Sequence, residues 1–411
     1  FLKANLDLGR KNSLKLDAEA REVKGGGIAG SLGLAPNQPF SLSAHMSGAT
    51  TDGRLNALAR SGADTPFSAQ GAWTRAGGRV DARLMLLQSR WTKGWANAFG
   101  PQAQITLSAR QRGKTLYDVD GRLHADNLDL TAHGPADTAK RSTRGLAVSM
   151  VINNLAKVAP QPIMGRGQFI GLLSGSPGDV RLSGQAQIAN FEFLNYRLAR
   201  AAGPMSLVWR NRQMTIQASA AGSGASGSGV VAAAGGPAPV GKIELSSLPD
   251  GRVLIRSMSI IGKAAKVDGA GGQNLFGGGL TFKGRLVVPD MAALRPGGKG
   301  TLQASWSAAQ TTAPGAPWTF VGEGRGEHFA TGAGDLDQVL GPEPRMSGHA
   351  GFVGDVVSFD TVSLTGAKAQ ANAQGQWKLD GSLKFDLAWQ ADGPFNLGPL
   401  EADGKATGMG T

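Results

Sequence analysis

The stretch AKAQANAQGQWKLDGSLKFDLAW, residues 367–389, reads as two β-strands and a turn. Ala367, Ala369, Ala371, Ala373, Trp377 and Leu379 alternate with Lys368, Gln370, Asn372, Gln374 and Lys378, a period of two that no helix shares. After Asp380-Gly381 the alternation resumes with Leu383, Phe385, Leu387 and Trp389 against Lys384, Asp386 and Ala388. Each run has one apolar and one polar side, the pattern of an antiparallel sheet wetted on one face. Parity constrains the turn. To keep Trp377 and Leu379 on the face of Leu383 and Phe385, residue 379 pairs with 383 and leaves an odd loop of Asp380, Gly381 and Ser382. A two-residue turn would set Leu383 opposite Lys378.

The same period runs through almost every window. It is seen at Leu2, Ala4, Leu6 and Leu8, at Leu14, Leu16 and Ala18, and at Phe40, Leu42, Ala44 and Met46. It returns at Val80, Ala82 and Leu84, and at Ile105, Leu107 and Ala109. Asp-Gly pairs at 120–121, 250–251 and 380–381 each lie between alternating runs, as hairpins require. Tyr117 and Val119 meeting Leu123 and Ala125 obey the same parity, so odd, bulged loops are expected to recur. Helical windows are short: 154–158, 291–294 after Asp290, and 335–340, which Gly341-Pro342 ends. These can punctuate a sheet and cannot cover one.

Composition agrees. Of 411 residues, 62 are Gly and 20 Pro, whereas Tyr appears twice, which suits strands and turns over helix bundles. The net charge of +12 is spread along the chain. Its densest stretch, Arg110-Gln111-Arg112-Gly113-Lys114, has no aromatic partner for a base before Tyr117, so no nucleic acid is expected as a partner. No Cys is present, which removes disulfides and thiolate metal sites, and no apolar run approaches the length of a transmembrane helix.

No constellation carries catalysis, and no enzyme activity or cofactor is expected. Residues 222–227, GSGASG, have the dinucleotide-fingerprint spacing but are followed by more Gly and Ser where a helix is required. Residues 236–242 have the spacing of a phosphate loop but place Ile243 where Ser or Thr must bind magnesium, and Pro237 and Pro239 remove amides. His45, His124, His133, His328 and His349 show no paired helical spacing, so each reads as a strand or turn residue. Glu323, Glu327 and Asp335 lie apart among Gly-rich turns, without assignable acid and base roles.

A sheet with one continuous apolar face must hide that face, and the usual cover of helices is missing. Three arrangements remain: stacked sandwiches, a closed barrel or solenoid, or an open trough whose lining is available to an apolar ligand. Repeats should be regularly spaced in the first two, yet similar segments at 184–188 and 284–288 stand among irregular intervals, which favours the trough. The fold expected is all-β, a long curled antiparallel sheet, open and elongated like a folded taco, with a few short helices. Residues 1–411 read as one continuous segment, with a soft Gly, Ser, Ala and Pro seam at 221–241 that suits a loop or linker. Eight Trp residues punctuate the strands. Packing is their default role, and lipid contact at an apolar–polar boundary is the sharper one.

Residues 165–177, GRGQFIGLLSGSP, followed by 180–186, VRLSGQA, resemble the TamB branch of the AsmA-like envelope proteins. Residues 282–286, FKGRL, leading to Met291 and Leu294, and residues 377–383, WKLDGSL, share that character. TamB is the inner-membrane subunit of a translocation and assembly module, among the bridge-like lipid transfer proteins. The resemblance implies a β-groove in the periplasm, anchored to the inner membrane by a segment absent here, with this chain as a middle segment. It implies phospholipid acyl chains as the cargo carried between inner and outer membrane. It also implies a role in outer-membrane protein assembly with a TamA-like barrel as partner through other regions. Leu182, Ile188, Phe191, Phe193, Phe282, Leu286, Val288, Leu364, Trp377, Leu379, Phe385 and Leu387 are the candidate groove lining. The alternative is a structural or adhesive β-solenoid with a filled core. An outer-membrane barrel is disfavoured by the scarcity of Tyr for aromatic girdles.

Overall fold

A computed structural model describes residues 1–8, 13–24, 26–49, 51–158, 163–193, 195–274, 278–312, 316–378, 382–393, 395–397, 400–402 and 404–410. The chain is all-β, built from antiparallel strands with a few short helices. It divides into two compact units, Phe1–Phe191 and Glu192–Thr411.

In the first unit the strands are β1 (Leu2–Leu8), β2 (Ser13–Glu22), β3 (Phe40–Ala49), β4 (Asp52–Ser61), β5 (Asp64–Thr74), β6 (Gly77–Met85), β7 (Gln102–Gln111), β8 (Leu116–Ala125), β9 (Leu128–Asp137), β10 (Ser142–Ile152), β11 (Met164–Ser176) and β12 (Asp179–Phe193). From β1 to β11 each pairs antiparallel with the next. Paired residues share a face, so the registers trace apolar rows across the sheet. One row is Ala18, Ala44, Ala57, Ala69, Ala82, Ile105, Leu123, Leu130, Met150 and Phe169.

The second unit contains β13 (Tyr196–Arg210), β14 (Gln213–Gly227), β15 (Val240–Ser247), β16 (Val253–Ile261), β17 (Lys266–Gln273), β18 (Leu280–Val288), β19 (Lys299–Gln310), β20 (Trp318–Ala330), β21 (Arg345–Val353), β22 (Val356–Thr365), β23 (Ala369–Lys378) and β24 (Leu383–Asp392). These also pair in sequence order. The hairpin of β25 (Phe395–Leu397) and β26 (Leu400–Ala402) stands apart, and β27 (Lys405–Gly410) returns to pair with β24. The tract at 221–241 is ordered: β14 continues to Gly227, α3 (Gly229–Gly235) follows, and β15 begins at Val240.

Strand order puts the helices on one margin of each unit. In a meander, every second connection falls at the same margin. In the first unit those connections carry α1 (Gly27–Ser31), the 3₁₀ turn Leu86–Gln88 with α2 (Lys93–Phe99), and the 3₁₀ turn Leu155–Lys157. In the second they carry α3, the 3₁₀ turn Met291–Ala293 and α4 (Gly334–Leu340). The caps are joined to one another. Asn127, buried in the β8–β9 turn, donates from Nδ2 to Ala98 O at 2.8 Å and to Asn154 O at 3.0 Å, and its Oδ1 accepts from Asn154 N–H at 2.7 Å. One side chain thus bridges two helical caps, leaving few polar groups unpaired where water is excluded. Small clusters of Leu34, Phe40 and Ala59 under Ala29, and of Leu86, Ala103 and Ala125 under Ala96, fill the space beneath α1 and α2.

Three details differ from the expectation. Asp120-Gly121 forms no hairpin but lies inside β8. The odd positions Tyr117, Val119, Gly121, Leu123 and Ala125 keep their phase straight through it, with Gly121 beneath the Leu107 side chain. Two-residue turns are common, as at Arg75-Ala76, Asn211-Arg212 and Gly354-Asp355, so the apolar phase switches between odd and even numbers from strand to strand. Asn211 and Arg212 have φ of 52° and 62°, as a type I′ turn demands. In the C-terminal hairpin Trp377 pairs with Leu383, and Lys378 N–H donates to Ser382 O at 2.9 Å, so 383 does not pair with 379. The shared face of Trp377 and Leu383 survives this shift because the loop remains odd. Leu379 and the Asp380-Gly381 pair lie outside the described residues. Asp250-Gly251 is a turn, with Gly251 at φ 87°.

Glu22 fixes the first cap. Its carboxylate accepts from the N–H groups of Gly26, Ile28 and Ala29, each at 2.9 Å. Hydrogen bonds from Ala29 and Ile28, aided by that from Gly26, hold its pKa below the ordinary 4.5 against the opposing effect of desolvation. Because the folded value is depressed, the stabilisation is present above the ordinary pKa and is lost as pH falls through the lower folded value. Amide protection at Ile28 and Ala29, followed by NMR hydrogen exchange, is expected to fall below pH 4.5. Glu22→Gln should flatten that dependence, while amides of β4 stay protected throughout.

Candidate functional site: the apolar face

The apolar face of the second unit is ordered by size. Across β17 to β24 one row runs Gly271, Phe282, Ala308, Phe320, Ala350, Phe359, Gly375 and Phe385, a ring on every second strand and Gly or Ala between. A parallel row runs Gly269, Gly284, Trp306, Gly322, Gly348, Val362, Ala373 and Leu387. Adjacent strands set opposed side chains ~5 Å apart, too close for two rings to lie down side by side. The small residue leaves room for its neighbours to lean over it. Phe359 and Phe385 approach to 5.3 Å between ring centroids, with Gly375 on the strand between them. Phe282 and Trp318 come to 5.9 Å across β19. The Trp306 ring lies over Gly284 and reaches Gly269, and Trp73 lies over Gly53 in the first unit, donating from Nε1 to Ala49 O at 3.0 Å.

Bulges keep the face continuous where the sequence slips phase. Phe359 and Val362 are three apart yet share it, because the β22–β23 register shifts between them. Another shift, between Ile255 and Met258, does the same on β16. The close backbone contacts of each strand are chiefly with its sheet neighbours and the rim turns. Trp209, Ile260, Phe320, Leu383, Leu387 and Trp389, all on it, are between 37% and 68% exposed.

The expected lining residues fall as follows. Phe282, Leu286, Val288, Leu364, Trp377, Phe385 and Leu387 lie on this face by register. Val288 is buried beside Leu302 near the rim, whereas Phe282, Leu286, Leu364, Trp377 and Phe385 are half-buried. Leu182 and Ile188 occupy alternate positions of β12 and are half-buried, as are Phe191 and Phe193. Asn190 has φ of 52°, the left-handed conformation that suits an extra bulge residue between Ile188 and Phe191. Sequence reading missed Trp306, Phe320 and Phe359 as members of the face. Their neighbours Gly322 and Ala350 carry no apolar signal of their own, and the ordering appears only once register is known.

The opposite face is polar and laced with cross-strand pairs. His45 Nδ1 lies 3.0 Å from Asp17, His124 Nδ1 2.6 Å from Asp129, and His133 Nδ1 3.3 Å from Asp120. Hydrogen bonds from His45 and Lys15 hold the Asp17 carboxyl below its usual range, and those from Arg79 and Thr106 do so for Asp81. A basin of about 680 Å³ lies against this polar face, where Arg325 and Arg345 oppose each other on adjacent strands beside Arg285 and Glu323. Glu327 pairs with Arg325 at 3.1 Å. Among the described residues no cluster of three His, Asp or Glu is placed to hold a metal ion.

Compared with protein-family models, curated proteins and solved structures, the chain matches none.

The size ordering predicts which glycines are indispensable. A Cβ on Gly284 would collide with the Asp268 carbonyl and the Trp306 indole, whereas one on Gly241 meets nothing within 4 Å. Gly284→Ala should therefore cost about 1–3 kcal/mol, the usual range for overpacking, in chemical denaturation. Gly241→Ala should leave the midpoint within the scatter of surface substitutions.

Proposed function

We propose that the apolar face carries phospholipid acyl chains. The chain would serve as part of a periplasmic, TamB-like envelope protein that passes lipid between inner and outer membrane and supports outer-membrane protein assembly with a TamA-like barrel. The observation that carries the reading is the continuous apolar face, with its aromatic row from Phe282 to Phe385 half-buried to exposed. Monomeric proteins seldom leave so continuous an apolar surface without an occupant. Membership of that family rests on the resemblance of residues 165–177 and 180–186.

The chemistry suits such a cargo. An acyl chain has no hydrogen-bonding groups, so it needs only a dry surface, and each fully buried methylene gains roughly 0.8 kcal/mol. On one open face only part of that gain is realised. The alternation of ring and Gly or Ala gives a shallow relief without a deep pocket. A chain sliding along a row would exchange one set of weak contacts for a similar set. Movement then needs no reacting group on the protein.

Photo-crosslinking amino acids placed at Phe282, Phe320 and Phe385 in cells are expected to yield phospholipid adducts. Placed at Lys283 and Lys384, on the polar face, they should give none. Adducts to protein only at the apolar positions, or equal lipid capture on both faces, would contradict the proposal. A density map with the face packed by the chain's own side chains would instead favour the filled-core solenoid.

A further inference from the structure

The margin of the first unit exposes a second apolar surface, separate from the sheet face. Trp91 and Trp95 are 63% and 61% exposed, and Leu32 and Leu87, in the same two connections, are 44% and 51% exposed. Two connections build it. Trp91 Nε1 donates to Ser31 O at 3.2 Å, Ser89 Oγ to Leu32 O at 2.6 Å, and Arg90 N–H to Gly33 O at 2.9 Å, which ties the loop before α2 to the end of α1. Gly33 lies directly against the Trp91 indole, and the Arg90 guanidinium stacks 4.6 Å from the ring centroid. The patch is thus held by backbone contacts, and its rings are presented outward by a fixed scaffold.

Its charge is one-sided. Residues 23–39 and 86–101 together contain Lys24, Arg90 and Lys93 and no Asp or Glu. Of the adjoining carboxylates, Glu22 is spent on the N–H groups of α1, and Asp126 lies against Gly100 at the C-terminal end of α2. Among the described residues no ion pair engages any of the three cations. Indoles prefer the boundary between apolar and aqueous phases, and basic residues near a membrane are drawn to anionic head groups. Among the described residues no helix is long and apolar enough to cross a membrane.

We infer that this rim patch docks on an anionic phospholipid surface, with Trp91 and Trp95 seated at the head-group level and Lys24, Arg90 and Lys93 facing the lipid phosphates. This rim patch is separate from the sheet face proposed to carry acyl chains. It concerns a membrane surface, where the other concerns single lipids.

The test is cosedimentation of the full chain with vesicles of phosphatidylcholine alone or mixed with phosphatidylglycerol. Wild type should bind the mixed vesicles, release them as salt is raised, and bind phosphatidylcholine weakly. Lys93→Gln should weaken binding about five-fold, the effect of roughly one surface cation. Trp91 contacts the α1 segment, so Trp91→Ala can disturb the rim itself. Trp95→Ala, with no hydrogen-bonded partner described for its indole, is the decisive variant and should lose at least as much. Phe320 crosslinking to lipid should be unchanged in both Lys93→Gln and Trp95→Ala, which separates this proposal from the one above. Equal binding to both vesicle types, wild-type binding by Trp95→Ala and Lys93→Gln, or capture of a protein at position 95 with no vesicle binding would each overturn it.

Discussion

Everything in this molecule depends on the ~5 Å separation of side chains facing each other on adjacent strands. Side chains on one face of a sheet pack sideways against those of the neighbouring strands. Two large residues opposed at that distance stand upright and splay. A large residue opposed to Gly or Ala can lie down and cover backbone. The rows through Phe282, Phe320, Phe359 and Phe385 adopt the second solution strand after strand, and Trp73 and Trp306 do the same over Gly53 and Gly284. Much of the glycine in the chain is therefore a packing requirement of the apolar face as well as a turn requirement.

The margins solve a second problem. A single-layer sheet exposes its ends, where backbone groups of successive turns would face a half-apolar surface. On one margin of each unit the chain inserts a helical turn at intervals, and hydrogen bonds such as those of Asn127 and Glu22 lock these caps to the strands. In the second unit Ala367 N–H donates to Leu340 O, and Lys263 N–H to Gly235 O, which ties strand turns to α4 and α3 in the same manner. The other margin includes tight turns, as at Arg75-Ala76, Asn211-Arg212 and Gly354-Asp355. The exposed Trp pair lies on the capped margin of the first unit, in the connection between β6 and β7.

Fold class was legible in the sequence because alternation is local: the runs at 40–46 and 105–109 are strands as read, and the stretch 367–389 holds β23 (Ala369–Lys378) and most of β24 (Leu383–Asp392). The helical windows at 154–158, 291–294 and 335–340 also correspond to helical turns, each opened by a suitable residue or closed by Gly341. α1 and α3 were hidden because their Gly and Ala residues carry no amphipathic signal, and α2 because seven residues span only two turns. The misread turn at Asp120-Gly121 shows that a turn dipeptide is outweighed when apolar phase continues across it. Register was the least legible quantity, since two-residue turns and bulges reset phase from strand to strand. With register went the aromatic rows, which exist only between strands. The His–Asp pairs were invisible for the same reason, being partners such as His45 and Asp17 that sit 28 residues apart.

The face is continuous across the strands of the second unit and exposed at Phe320, Leu383, Leu387 and Trp389, which is the physical basis for reading it as a surface for acyl chains. Native mass spectrometry of the chain, expressed in a two-membrane bacterium and purified without detergent, tests that reading most directly. Several phospholipid adducts per chain are expected, lost when Phe320 and Phe359 are both replaced by Asp in a protein that still shows β-sheet circular dichroism. A bare mass for the folded wild-type chain, or adducts that persist in the double variant, would contradict it.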